Sequence, residues 1–312
     1  VSETTHERAS ADARFPVSGE NLTAAELAAR HGLSVSGARP RLPEYIRQLW
    51  GRRHFILAFS QAKLTAQYSQ AKMGQIWQVL TPLLNAFVYF LIFGLLLDGR
   101  GGMKNPEYIP FLVIGVFLFT FTQQSVLSGV KAIPGNLGLV RALHFPRASL
   151  PLAFVLQQLQ QLLYSTVVIF AVLLGFGHYP TWTWFLMVPA LLLQLIFNSG
   201  LALTFARWGA KIPDLAQLMP FVLRTTMYAS GVLFPVHYMV TEKAEGPEWL
   251  GDLLLANPIS TYMELVRHAL IDGPNHGDLP SYFWLLAVGY AVVFFVGGFV
   301  YFWKAEERYG RG

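Results

Sequence analysis

Tyr282–Trp303 reads YFWLLAVGYAVVFFVGGFVYFW, without one charged side chain. A helix needs roughly 20 apolar residues to cross the hydrocarbon layer of a bilayer, and this stretch supplies them. Working back along the chain, Leu215–Val236, Trp182–Ala206, Leu150–Leu174, Ile109–Val130 and Ile76–Leu97 have the same character. Hydrophobic residues make up 54% of the chain and charged ones 13%, too little charge to cover a water-soluble domain of this size. Lipid offers the backbone no hydrogen-bond partner, so each apolar run is expected to be a helix. Strand-period alternation, the mark of an outer-membrane barrel, is absent. The expected fold is an all-α polytopic membrane protein with six transmembrane helices over residues 76–303.

Charge orients the helices. Lys and Arg favour short cytoplasmic loops. Arg41, Arg47, Arg52, Arg53, Lys63 and Lys72 precede the first span; Lys131, Arg141 and Arg147 follow the second; Arg207 and Lys211 follow the fourth; Lys304, Arg308 and Arg311 follow the last. Both termini are therefore expected in the cytoplasm. On the other side Gly175–Thr181 has neither Lys nor Arg, and Val236–Ser281 is dominated by acids such as Glu242, Glu245, Glu248 and Asp252. The formal charge of +5 thus reads as attraction to anionic lipid heads. No nucleic-acid module accompanies it.

Residues 1–40 are polar and are expected to be a flexible cytoplasmic extension. Asn21–His31 carries a helix signature, Thr23 as cap with Glu26 three residues on; a tail without order is the alternative. Residues 41–75 mix Tyr45, Ile46, Leu49, Trp50, Phe55, Ile56 and Phe59 with basic residues, the pattern of amphipathic helices lying in the interface. Tyr45 and Trp50 are expected at head-group depth. Between spans two and three, Pro134, Gly135 and Gly138 interrupt the chain, Leu139–Leu143 restarts a helix, and Pro146 ends it. Between spans five and six, Trp249–Leu255 and Ser260–Leu270 are too short to cross. They are expected to dip from the outer face over residues 237–275 or to lie on its surface. Residues 304–312 form a cytoplasmic tail.

Chemistry is sparse. There is no GxxxxGK[ST] phosphate loop and no HExxH motif. Cysteine is absent, which excludes disulfides and thiolate metal sites. No acidic residue lies mid-span, where a proton- or sodium-coupled carrier keeps one. No catalytic residue, metal or cofactor is expected of this chain. What recurs is amide and aromatic chemistry. Gln157, Gln160, Gln161 and Tyr164 share one face of span three by three-and-four spacing, and Gln194 and Asn198 form a similar pair in span four. Such a face suits either helix–helix contact or a polar conduit for sugars. Arg224 falls mid-span five. It either faces a wet interior or snorkels to the inner head groups.

Four blocks carry a resemblance. Leu64–Leu84, with Tyr68, Gly74, Trp77, Pro82 and Leu83, resembles the entry into the first span of membrane subunits of ABC-2 type ABC transporters. Asn136–Leu152, with Phe145, Pro146, Arg147 and Pro151, resembles their coupling helix. Ser230–Pro235 and Asn257–Gly273 resemble the end of span five and the outer re-entrant region. The order is that of exporters of lipid-linked polysaccharide, and the blocks cover roughly Pro43–Trp303. The resemblance implies the ABC-2 (type V) exporter fold, in the plasma (inner) membrane. It implies a homodimeric permease paired with two copies of an ABC ATPase, which supplies the ATP and Mg²⁺ site. The coupling region would be 134–147, with Gly138, Leu139, Arg141, His144, Phe145, Pro146 and Arg147. Arg47, Arg52, Arg53 and Lys63 would flank the entrance for a polyprenyl-pyrophosphate head. Gln157, Gln160, Gln161, Tyr164, Gln194, Asn198 and Arg224 would line the glycan conduit. The Ala/Gly/Arg-rich composition points to cell-wall galactan as cargo; teichoic acid, O-antigen or a small amphiphile are the alternatives. A membrane-embedded glycan transferase is the reading from another class.

Overall fold

The computed structural model describes residues 14–17, 20–23, 40–67, 72–96, 103, 105–143, 145–235, 254, 256–271 and 282–309. The chain forms two units, Val1–Arg41 and Leu42–Gly312. In the first, β1 (Arg14–Val17) and β2 (Glu20–Thr23) pair antiparallel, Arg14 opposite Thr23 and Val17 opposite Glu20. Asn21, Leu22 and Thr23 thus lie in a strand, up to the residue expected to cap a helix. The remainder of Asn21–His31 lies outside the described residues.

The second unit is helical among its described residues. α1 (Leu42–Gly51) and α2 (Arg53–Gln67) come first. α3 (Trp77–Tyr89) continues into a π-helical segment, Phe90–Leu96. α4 (Asn105–Lys131), α5 (Leu137–Ala142), α6 (Ser149–Gly175), α7 (Met187–Lys211) and α8 (Leu215–Ala229) follow, then α9 (Pro258–Leu270) and α10 (Tyr282–Trp303). Among the described residues five stretches are long and apolar enough to cross a membrane: Val79–Leu96, Glu107–Lys131, Ser149–Gly175, Trp182–Lys211 and Tyr282–Trp303.

The expected span Leu215–Val236 is shorter as a helix. α8 has 15 residues, about 22 Å at 1.5 Å per residue, against roughly 30 Å of hydrocarbon. It ends at Ala229, and the chain turns through Gly231, whose φ is 65°. Only glycine enters that region at little steric cost.

α7 is the hub, packed against α4, α6, α9 and α10. Lipid gives helices no hydrophobic drive to associate, so close van der Waals approach through small residues does the work. A Cβ on Gly200 or Gly298 would run into backbone across the α7–α10 seam, and one on Gly129 would lie 2.8 Å from the Ala202 Cα. Gly209 sits against the carbonyl of Val130 in the same way. Outward faces are apolar instead: Leu163, Val167, Leu285 and Val293 are exposed. Exposed aromatics gather near the helix ends, with Tyr179, Trp182 and Tyr282 at one end and Trp50 and Trp208 at the other, the depth that amphipathic rings favour. The second end also carries Lys131, Arg141, Arg147, Arg207 and Lys211 and is called the basic end below.

Gly200→Val should cost about 1–3 kcal/mol through overpacking, read as a lower melting temperature in detergent. Gly289→Ala meets nothing within 4 Å and should be near neutral. Equal effects would contradict the seam.

Candidate functional site

The segment between α4 and α6 is built to present a surface while held at both ends. A 3₁₀ turn, Pro134–Asn136, leads into α5. At its start the Asn136 amide donates to the Ala132 carbonyl at 2.9 Å. On α5 Leu137, Gly138 and Arg141 are exposed, Leu139 is half-buried and Val140 is buried. Leu143, with extended backbone, is also exposed. Phe145 turns back and meets Phe55 of α2, ring centroids 5.5 Å apart. Pro146 is buried. His144 lies outside the described residues.

Arg147 enters a junction that joins three separate parts of the chain. The Glu306 carboxylate accepts from the Tyr45 hydroxyl at 2.8 Å and from the Arg147 amide at 2.9 Å. The Arg147 guanidinium donates to the Glu306 carbonyl. The Ala148 amide donates to the Tyr45 hydroxyl at 3.1 Å. Burial raises the Glu306 carboxyl above its ordinary value, while the Arg147 amide and Tyr45 hydroxyl pull it down. Burial, then the Glu306 charge, pushes the Tyr45 phenol well up, so it stays a donor. Tyr45 is thus an internal tie, not the head-group anchor expected of it. Trp50, by contrast, is 70% exposed.

The basic residues of α1 and α2 stand apart from this junction. Arg47 and Arg52 are exposed. Arg53 donates to the Trp50 carbonyl at 3.2 Å and lies over its ring. Lys63 sits over Phe59 and Phe154, 5.2 and 5.7 Å from their centroids, its stem covering the α2–α6 contact.

The amide residues separate. Gln157 donates to Gln67 at 2.9 Å and Gln160 to Ser60 at 3.3 Å, so both tie α6 to α2. Gln161, with Gln158, faces a small cavity beside Pro82, Phe117 and Thr120. Tyr164 is 55% exposed. Gln194 is fully buried and donates to the Leu118 carbonyl and the Thr122 hydroxyl at 3.2 and 3.1 Å, which ties α7 to α4. Asn198, one turn on, is also buried. Arg224 is exposed on α8.

Sequence reasoning missed the most enclosed charge among the described residues. Arg267 of α9 is 0% exposed. It donates to the Gly231 carbonyl at 2.9 Å, the Val232 carbonyl at 3.1 Å, the Phe111 carbonyl at 3.2 Å and Glu264 at 2.8 Å. Its guanidinium carbon lies 3.4 Å from the Phe111 ring centroid. Gly115 leaves it room, since a Cβ there would strike the guanidinium. Tyr108 donates to the Leu233 carbonyl at 2.7 Å, and Ser260 to the Ser230 carbonyl at 3.0 Å. Three side chains therefore satisfy four consecutive carbonyls released where α8 stops. The signal was the Glu264–Arg267 pair, three residues apart in a helix with no other Asp, Glu, Lys or Arg.

Residues 55–271 match the family described as ABC-2 type transporter. The chain belongs to that family. It is 26% identical to an O-antigen export system permease protein of Myxococcus xanthus over 70% of this chain and 80% of the relative. It is 22% identical to one of Klebsiella pneumoniae over 82% and 93%. It is 25% identical to a polysialic acid transport protein of Escherichia coli over 68% and 79%.

In this ABC-2 chain the family match runs from α2 to the end of α9. It takes in the segment around α5 and the Arg267 site, and leaves Tyr45 and Glu306 outside. Multiple long apolar helices make it a polytopic inner-membrane protein. Among the described residues no three or more His, Asp or Glu side chains gather as a metal site.

Arg267→Met should strand buried carbonyls at about 1–3 kcal/mol each, and detergent-extracted protein should lose its cooperative melt. Arg224→Met, at an exposed position, should keep it. A stable Arg267→Met protein would contradict the assignment.

Proposed function

We propose that the chain is the permease subunit of an ATP-driven exporter. It moves a polyprenyl-pyrophosphate-linked polysaccharide across the plasma membrane, works as a homodimer and pairs with two copies of a separate ABC ATPase. That ATPase holds ATP and Mg²⁺. Relatives named for O-antigen and polysialic acid transport support a glycan cargo. Cell-wall galactan is the cargo we favour among the lipid-linked glycans, on composition. The basic end faces the cytoplasm, both termini lie there, and the chain crosses six times, α8 with the turn that follows it adding span five to the five long apolar stretches. α9 is re-entrant from the outer face, which its burial against α4, α7 and α10 supports.

One observation carries the coupling role. α5 exposes Leu137, Gly138 and Arg141 at the basic end, while Phe145 and Arg147 fasten the same segment to α2 and to the tail. A push on the exposed face is delivered to α2, to α1 through Tyr45, and to the start of α6 through Ala148. A segment tied on one side only would fold away under load. Arg47, Arg52, Arg53 and Lys63 line the entrance, where anionic heads are attracted to them. The conduit forms where two permeases meet. Tyr164 and Arg224, both exposed, are the residues of the expected lining best placed to reach it; Gln157, Gln160 and Gln194 tie helices together, Gln161 lines a small gap and Asn198 is buried in α7.

The test is reconstitution with the ATPase and a lipid-linked glycan, with a photo-crosslinker at Phe145. ATP-dependent movement of an unaltered glycan and a crosslink into the ATPase are expected. A glycan altered covalently without ATP would instead make the chain a transferase.

A further inference from the structure

A cavity of about 480 Å³ opens at the basic end, where the last turns of α7 and α10 meet the start of the α5 segment and the tail. Arg141, Arg207 and Lys211 line it, Trp208, Tyr301 and Tyr309 share its wall, and no lining residue is acidic. Arg47, Arg52 and Arg53 of α1, α2 and their junction are arranged differently, strung along exposed surface. Here cations and rings surround a volume in the range of small-molecule sites, roughly 300–1,000 Å³.

The wall is set in advance. The Arg207 guanidinium lies over the Tyr301 ring, 3.8 Å from its centroid, and donates to the Tyr301 carbonyl. The Trp208 indole donates to the Tyr301 hydroxyl at 3.0 Å. Tyr309 is stacked on Phe302 with centroids 4.6 Å apart. A ligand entering this space meets positioned groups and loses little to ordering them.

The chemistry selects an anion with an apolar attachment. Phosphate suits both the planar fork of arginine and the point charge of lysine. The rings suit glycerol carbons or the first methylenes of a chain. The site lies at the ends of two spans beside Trp208 and Tyr301, at head-group depth, which favours a lipid over a soluble acidic peptide. The geometry points to a binding site for the phosphate-bearing head of a lipid in the adjoining leaflet. This rests on the orientation proposed above, in which the basic end faces the anionic cytoplasmic leaflet. A bilayer phospholipid and the phosphate head of a polyprenyl carrier offer the same chemistry. Either would touch α5 through Arg141, so the occupied cavity braces the segment that receives the ATPase.

Full-length protein in phosphatidylcholine nanodiscs is titrated with fluorescent phosphatidylglycerol and with a matched phosphatidylcholine probe. The anionic probe should bind at least about tenfold tighter, since each cation near a membrane surface contributes about fivefold. Lys211→Gln should weaken it about fivefold and Arg141→Gln/Lys211→Gln should remove most of the preference. Lys72→Gln, an equal charge lost elsewhere at the same end, should change it less than about twofold. Unlabelled polyprenyl phosphate that displaces the probe identifies the carrier as occupant; a probe that stays identifies the phospholipid. Equal binding of the two probes, or a preference that survives in the double variant with its melting temperature unchanged, would overturn the site. The measurement needs neither ATP nor glycan, so its failure leaves the export reading standing.

Discussion

Backbone carbonyls without water set the terms for this molecule. Where α8 stops at Ala229, the chain leaves helical geometry inside a packed apolar bundle, and Ser230, Gly231, Val232 and Leu233 present four carbonyls to it. Each left unmade would cost about 1–3 kcal/mol. Broken backbone at membrane depth survives only where protein supplies the donors. Arg267 covers two of the four and Ser260 and Tyr108 one each, from α9 and α4. That requirement explains several features together. α9 must be buried although it carries a charge, Gly115 must lack a side chain, and Phe111 must lay its ring against the guanidinium.

The basic end is organised on another principle. Around α7, close helix contact through Gly129, Gly200, Gly209 and Gly298 makes seams that tolerate no added atom. At the α5 segment the contacts are instead between side chains: the Phe145 ring pair, the carboxylate junction at Glu306, and buried Val140 packed in one apolar cluster with Ile133, Phe299 and Phe302. Backbone-to-backbone seams resist sliding, whereas a short helix that meets its neighbours through side chains can shift as a body. This contrast suits the proposed path of the push, which runs from α5 into α1, α2 and the start of α6 while the glycine seams keep α4, α7 and α10 together.

Local chemistry was legible in the sequence and long-range partnership was not. The uncharged run Tyr282–Trp303 is α10 to the residue, because Lys304 ends the run as sharply as it ends the helix. Leu215–Val236 overran its helix, because an apolar run hides a glycine at positive φ. Spacing placed Gln157 and Gln160 on one face, yet spacing does not say that α2 covers that face. Arg224 drew notice as a lone charge among apolar residues and is exposed; Arg267 sat in a polar stretch and is the buried one. Its carbonyl partners lie 35, 36 and 156 residues away. Tyr45 and Glu306 are 261 apart, beyond any local pattern.

The central claim is that the α5 segment moves with α2 against the core. The chain has no cysteine, so paired spin labels can be placed at will. One pair joins exposed positions on α5 and α2, through Gly138→Cys and Ala58→Cys; the other joins α5 and α8, through Gly138→Cys and Thr225→Cys. Distances are measured by electron–electron double resonance in the complete transporter, before and after trapping with ATP. The account predicts an unchanged α5–α2 distance and a shift of several ångströms between α5 and α8. A changed α5–α2 distance with α5–α8 fixed would contradict it.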